Sequence, residues 1–502
     1  MVKVAVTTTE QAEYPKQAPF HPAESFPEYP FAGETARGKN FVYSAVRQLF
    51  VELGYDAENF GKKEWNPLGW LIKPEMTVVL KPNFVRSRHY EKKDPFAIIT
   101  HPAVLRAVAD YVWIALKGEG KIIIADAPQY DCNWTELMEL TRLETVRDFY
   151  NLRRPASFEL RDLRPYWSRR KHFPSMLMPL EGDPQGTLNV NLGRESALTA
   201  IKNPNRLYGA VYHRQETIAN HTGDNQAYAL SRTIMDADVV ISVPKLKTHK
   251  KVGVTMNIKG LVGINTNKNL IVHYCVGSPA EGGDQYPPNH FTPTEERLIK
   301  TERWMYDTFL ARRSVPLEYL HRSIYWLHGR FIKPFGIKVE KEKRLLDAGN
   351  WHGNDSAWRM SADLLKILLF ADKEGKLQIN QQRRLFSVID GIIGGDNKGP
   401  LDPDPVASGV LLASENFLAA DIVGARLMGF DPMLIRTFVY LMNEPNFDYG
   451  VREFKDMEIK TSVAEWRDCL SNKTDRFLNY RPYPGWIGHL EISGNNNGHG
   501  KL

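Results

Sequence analysis

The segment VPKLKTHKKVGVTMNIKGLVGINTNK, residues 243–268, gathers Lys245, Lys247, His249, Lys250, Lys251, Lys259 and Lys268 around Gly253, Gly260 and Gly263. Lysines are point cations and glycines let backbone amides approach a ligand, so the combination suits the oxygens of a phosphate or carboxylate. It contains neither GxxxxGK[ST] nor GxGxxG, so neither a Walker loop nor a dinucleotide fingerprint accounts for it. Val, Leu and Met are interleaved with the cations, which implies partial burial, and a buried lysine without a negative partner is costly. On that ground Lys247 and Lys259 lead the anion-binding candidates, with Lys245 beside them, while Lys250 and Lys251 read as solvated.

Other expected strand ends repeat the arrangement. VVLKPNFVRSRHY carries a buried strand into Lys81, Asn83, Arg86, Arg88 and His89, and IIIADAPQYDCNW places Asp126 at a strand end with Asp131 beyond it. VIDGIIGGDNKGP sets Asp390 before a loop holding Gly394, Gly395 and Gly399. If these strands are neighbours their carboxyl ends converge, which is where open α/β sheets bind ligands. Lys81, Asn83, Arg86, Lys245, Lys247 and Lys259 would then hold an anion, and Asp126 or Asp390 would hold a metal or serve as base. His249 suits the work of acid, base or ligand, because imidazole ordinarily titrates near neutrality.

GNWHGNDSAWRMSADL adds Asn354 and Arg359 to the substrate side, with tryptophans that suit a sugar face and Asp355 placed to cap the following helix. Thr100, ahead of HPAVLRA, is expected to cap another. His249, His273 and Asp284 offer nitrogen and oxygen donors for a divalent metal, although their spacing matches no standard zinc motif. That metal is the one cofactor the residues suggest. Each group also has a plain structural alternative: a solvated lysine run, a helix cap, a local ion pair or a tight glycine turn.

The elements that would position these groups follow the rhythm strand, loop, helix, glycine, strand. VKVAVTT, MTVVLKPNF, GKIIIADAP, ADVVIS and RLFSVID read as strands; NFVYSAVRQLFVELG, HPAVLRAVADYVWIAL and ENFLAADIVGARLMG read as helices. The expected fold is α/β, a mostly parallel sheet with helices on both faces plus inserted loop-rich and helical subdomains. The expected division is an N-terminal α/β portion (1–149), a loop-rich insertion (150–220), the central strand with the basic segment (221–290), a helical insertion (291–350), a C-terminal α/β portion (351–470) and an irregular tail (471–502).

With 65 Lys and Arg against 59 Asp and Glu, the net charge of +6 is small for 502 residues. It fits a local anion site better than the coating of nucleic acid. Cys132, Cys275 and Cys469 lie too far apart for a disulfide framework, a zinc finger or an iron–sulfur motif. The absence of a signal-like start or a long apolar run leads to the expectation of a cytoplasmic protein. EYLHRSIYWLHGRFIKPFGIKVEKEKR mixes aromatic and basic residues in a manner suited to the inner face of an anionic membrane and to a lipid-linked substrate.

Taken together, KPN after a strand, the helix after THP, DADVVISVPKLKTHKKVGVTMNIKGLVG, DGIIGGDNKGP and ENFLAADIVGARLMGFDP resemble the family catalogued as domain of unknown function 362, over about residues 75 to 435. Members of that family often carry a ferredoxin-like cysteine cluster, which three scattered cysteines cannot form. The longer form with GNWHGNDSAWR and NKNLIVHYCVGSPAEGGDQYP resembles members associated with bacterial surface-polysaccharide gene clusters. A fainter similarity to the lactate racemase type of fold implies a lysine and histidines holding a nickel-bearing nucleotide cofactor, a part that Lys247, His249 and Lys259 would play.

The leading expectation is an enzyme acting on an anionic, phosphorylated or nucleotide-linked sugar, with metal assistance as an option, in surface-polysaccharide biosynthesis. The alternatives are a racemase-like enzyme with a nucleotide-derived metal cofactor and a non-catalytic protein that binds glycan or nucleic acid. Expected partners are therefore a small anion or sugar conjugate and a peripheral membrane contact. Nucleic acid is disfavoured, because the cations sit in short stretches among acidic residues.

Overall fold

Apolar side chains alternate along strands that are buried on both faces, and two hydrophobic cores result. In the computed structural model, which describes residues 1–168, 177–210, 213–310, 314–327, 329–330, 339–471 and 476–492, a ten-stranded central sheet separates them. Its strands are β1 (Val2–Thr8), β2 (Thr77–Pro82), β3 (Lys121–Asp126), β4 (Phe158–Asp162), β5 (Val239–Val243), β6 (Lys245–His249), β7 (Gly253–Val254), β8 (Arg384–Asp396), β9 (Asp404–Ser414) and β10 (Met457–Lys460). The spatial order is β10-β1-β9-β8-β5-β2-β3-β4, with β6 extending from β5 along β8 and pairing with β7. From β8 to β4 all neighbours are parallel; β9 runs antiparallel to β8 and to β1.

Val78, Leu80, Ile122, Ile124, Val239 and Ile241 pack with helices Phe41–Leu53 and Pro102–Leu116 on one face. Val79, Ile123, Val240, Leu385 and Ile389, one register step away, pack with helices Ala357–Phe370 and Phe417–Met428 on the other. The period of two thus assigns each strand to both cores, as a mixed and mostly parallel α/β sheet requires. Smaller sheets join Thr187–Asn191 with Asn225–Ser231 and His221–Thr222, Leu207–Gly209 with Val272–Cys275, and Tyr166–Ser168 with Leu177–Pro179.

Several local expectations are corrected. The basic segment after Val243 opens as a strand, β6, because β8 continues past β5 and offers it a partner: Lys245 is opposite Asp390 and Lys247 opposite Gly395. For the same reason Gly394 and Gly395 lie inside β8, while Gly399 falls in the turn that follows it. His101, not Thr100, caps helix Pro102–Leu116 by accepting from the Ala103 amide. The Thr100 hydroxyl instead donates to Val243 O at 2.6 Å and accepts from Asn83 N at 2.9 Å, stitching the ends of β5 and β2 together. Asn354, not Asp355, receives the amides of Ser356 and Ala357, while Asp355 pairs with Arg359. The expected tail from residue 493 onward lies outside the described residues.

At the junction of β5 and β6 the sheet contains a buried charge pair. Lys245 Nζ lies 2.7 Å from Asp390 Oδ2, and both side chains are fully buried. The aromatic loop after β1 supplies Tyr14, whose hydroxyl donates to Asp390 Oδ1 at 2.6 Å and accepts from Lys245 Nζ at 2.8 Å. The carboxylate also accepts from the amides of His101 at 2.9 Å and Ile392 at 3.3 Å. Asp390, a candidate base, is thereby a joint between the loop, a helix start and two strands.

Removing one member of a buried pair strands the other, at a cost of about 3–5 kcal/mol. Asp390→Ala is therefore expected to lose that much stability in urea unfolding, and Lys245→Met/Asp390→Leu to lose less. A single-variant loss below about 1 kcal/mol would show that the pair does not hold this junction.

Candidate functional site

The carboxyl ends of β2, β3 and β5 are adjacent, so Lys81, Asp126 and the start of β6 meet at one edge of the sheet. Lys81 Nζ lies 3.0 Å from Asp126 Oδ1, and Asp126 Oδ2 accepts from Phe84 N at 2.8 Å. Gly263 passes directly over this pair, its carbonyl accepting from Ala127 N at 2.7 Å. A Cβ on Gly263 would overlap Asp126 Oδ1 and crowd Lys81 Nζ, so close approach of the backbone is the reason for glycine here.

Along β6 the alternation turns Leu246 into a core and leaves Lys245, Lys247 and His249 on the other side. Lys245 is taken by Asp390. Lys247, fully buried, has only carbonyls: Nζ donates to Ile98 O at 2.6 Å and to Pro400 O at 3.2 Å. The next lysine, Lys259, comes from the short helix Met256–Gly260. That helix is anchored by Asp421, which accepts from the amides of Asn257 and Ile258 at 3.0 and 2.9 Å. Lys259 is 7% exposed, and among the described residues its ammonium has neither a carboxylate nor a hydrogen-bond acceptor. Lys268 donates to Ala127 O at 2.7 Å and Val262 O at 2.9 Å; Lys251 donates to Ala348 O and stands over the Tyr274 ring.

These side chains line a cavity of about 290 Å³ together with Lys81, Asn83, Asp126, His249 and His273. Lys247, Lys251, Lys259 and Lys268 are all at least nine-tenths buried, and none forms an ion pair among the described residues. Burial pushes Lys259 and Lys268 down from 10.5 to about 7. It also lowers Lys247 and Lys251 well below the ordinary ammonium value, with neighbouring cations adding to the effect. His249 and His273 are held well below the ordinary imidazole range, first by burial and then by Lys259. Both rings are thus neutral at pH 7. His249 Nδ1 accepts from Lys251 N at 3.0 Å, leaving the proton on Nε2. His273 Nδ1 lies 3.0 Å from Ile271 O and donates to it, leaving Nε2 as an acceptor. The buried Asn83 Nδ2 has no hydrogen-bond partner among the described residues.

Of the residues singled out in the sequence, Lys81, Asn83, Asp126, Lys247, His249, Lys259 and His273 meet at this cavity. Lys245 and Asp390 do not line it, being spent on each other. Arg86 stacks over Tyr90 and lies 3.5 Å from Asp402. Arg359 is paired with Asp355, and Asn354 caps a helix. Asp284 accepts from Cys275 N, Asp355 N and Ser356 Oγ, so it orders two loops away from the two histidines. Among the described residues no group of three His, Cys, Asp or Glu side chains is placed to hold a metal ion. Lys251, expected to be solvated, is buried. Lys268 closes the same lysine-rich stretch but carries no assigned role in the sequence reading, and it too lines the cavity.

The chain belongs to the family described as domain of unknown function (DUF362), whose model matches residues 78–179 and 191–426. The match includes every cavity residue named above. No curated protein and no solved structure matches the chain.

The Lys259 pKa sets the sign of a pH effect. Between about 7 and 10.5 the unfolded chain binds a proton that the folded one does not, so stability rises with pH across that window. Lys259→Met is therefore expected to raise Tm at pH 7, with the gain shrinking toward pH 10. Loss of Tm at every pH would make Lys259 a packing residue.

Proposed function

We propose that the protein is an enzyme acting on a small anionic substrate, with a phosphorylated sugar as the class that fits best. One observation carries the reading: four buried lysines without a carboxylate partner surround a single cavity at the carboxyl edge of the sheet. Buried cations are ordinarily paired, and an anion entering here would supply the missing charge. The volume of about 290 Å³ stands at the lower end of the roughly 300–1,000 Å³ usual for small-molecule sites. That favours a sugar phosphate over a nucleotide-linked sugar, which would need room outside the cavity.

In this reading Lys247, Lys251 and Lys268 hold the anion, since each already points its donors at oxygen. Asn83 Nδ2 and the His249 Nε2–H give further donors, and His273 Nε2 an acceptor for a substrate hydroxyl. Asp126 keeps Lys81 in place. Lys259, with a pKa of about 7 and no competing partner, is the group able to take or give a proton at neutral pH. Lysines fixed around a dry cavity would stabilise negative charge that grows on substrate oxygen during reaction. A role in surface-polysaccharide biosynthesis is consistent with a sugar phosphate substrate and rests on the family resemblance.

An anion raises the pKa of the lysines that hold it, so binding takes up protons at pH 8. Calorimetric titration with glucose 1-phosphate is expected to show one saturable site whose enthalpy varies with the ionisation enthalpy of the buffer. Lys247→Met and Lys259→Met should each weaken it by roughly 10- to 100-fold. Absence of saturation, or tight oligonucleotide binding with a steep salt slope, would overturn the reading in favour of a binding protein for nucleic acid.

A further inference from the structure

We propose that the exposed face of the helix Val315–Leu327 docks on the surface of an anionic lipid bilayer. This face lies outside the cavity, and the proposal stands whether or not the reading of the cavity does.

The helix is inside out by the usual pattern of a soluble protein. Its one buried residue is Glu318, whereas Tyr319, Tyr325 and Trp326 are 55%, 61% and 64% exposed. Val315, Tyr319, Arg322 and Trp326 follow one another at spacings of four, three and four residues, so they form a single row along the helix, and Leu320 and Leu327 stand off that row. All are exposed. Scattered surface apolar residues need no explanation, but a row of them on one helix does. Trp304, at the end of the preceding helix Pro293–Met305, is 61% exposed as well.

Charge and residue type name the occupant. Among the described residues between Thr308 and Val339, Arg322 and Arg330 are exposed, while the acidic residue, Glu318, is buried. The acids of the neighbouring helix are already paired, Glu295 with Lys343, Glu296 with Lys300 and Glu302 with Arg344, and Asp307 just beyond it pairs with Arg214. Among the described residues, the exposed charge on this helix and at its end is thus cationic. Tyr and Trp rings beside arginine match the headgroup zone of a membrane, where the ring body is apolar and its polar edge stays wet. Among the described residues no helix is long and apolar enough to cross a membrane, so the contact is peripheral.

The test is co-sedimentation of the full chain with vesicles of phosphatidylcholine alone and of phosphatidylcholine mixed with phosphatidylglycerol. The wild-type chain is expected to pellet only with the anionic vesicles and to be released by salt. Tyr319→Ser/Trp326→Ser should stay in the supernatant while keeping the wild-type circular dichroism spectrum, and Arg322→Ser should bind roughly fivefold more weakly. The proposal is overturned if the wild-type chain pellets with neither vesicle or with both equally. It is also overturned if light scattering shows a dimer that Tyr319→Ser/Trp326→Ser dissociates, since a second copy would then own the face.

Discussion

Removing a lysine ammonium from water costs far more than a marginally stable fold can spare unless something negative meets it. This chain buries several such groups within one stretch, and two of them, Lys245 and Lys247, are separated by a single residue on one strand. They show the two outcomes side by side. Lys245 meets Asp390 and Tyr14, and its charge is used to join strands β6 and β8 to the N-terminal loop. Lys247, on the same side of the strand, meets only the carbonyls of Ile98 and Pro400 and faces the cavity. One lysine is neutralised by a carboxylate; the other has carbonyl oxygens and no carboxylate among the described residues.

The rest of the site extends that contrast. Gly263 lets a backbone segment lie against the Lys81–Asp126 pair, and the same segment continues to Lys268, which reaches back to Ala127. Asp421, buried in the helix Phe417–Met428, captures the amides that start the short helix carrying Lys259. The lysines are thus placed by the two cores and the sheet. Six lysines but only Asp126 and Asp131 as carboxylates line the cavity.

The sheet and both helical layers were legible because the strand and helix periods are strong: IIIAD and VVISV leave no alternative face, and HPAVLRAVADYVWIAL announces its own start. The convergence of Lys81, Asp126 and Lys247 followed from the rule that ligands sit at strand ends. What was not legible depended on partners distant in sequence. Nothing near Asp390 says that its carboxylate is claimed by Lys245 and by Tyr14, which lies 376 residues away. Asp284 likewise looks like a ligand until the amides of Cys275 and Asp355 are seen to occupy it. Lys251 was taken for a surface residue because KK pairs usually are, but Ala348 and Tyr274 enclose it.

The central claim is that Lys259 is a buried cation lacking a counter-ion that an anion would supply. Its reaction with acetic anhydride, read by mass spectrometry of the Lys259 peptide across a pH series with and without inorganic phosphate, tests this directly. The account predicts a reactivity midpoint at about 7 that phosphate moves upward while slowing the labelling. A midpoint at the ordinary lysine value of 10.5, or one at about 7 that phosphate leaves unchanged, would contradict it.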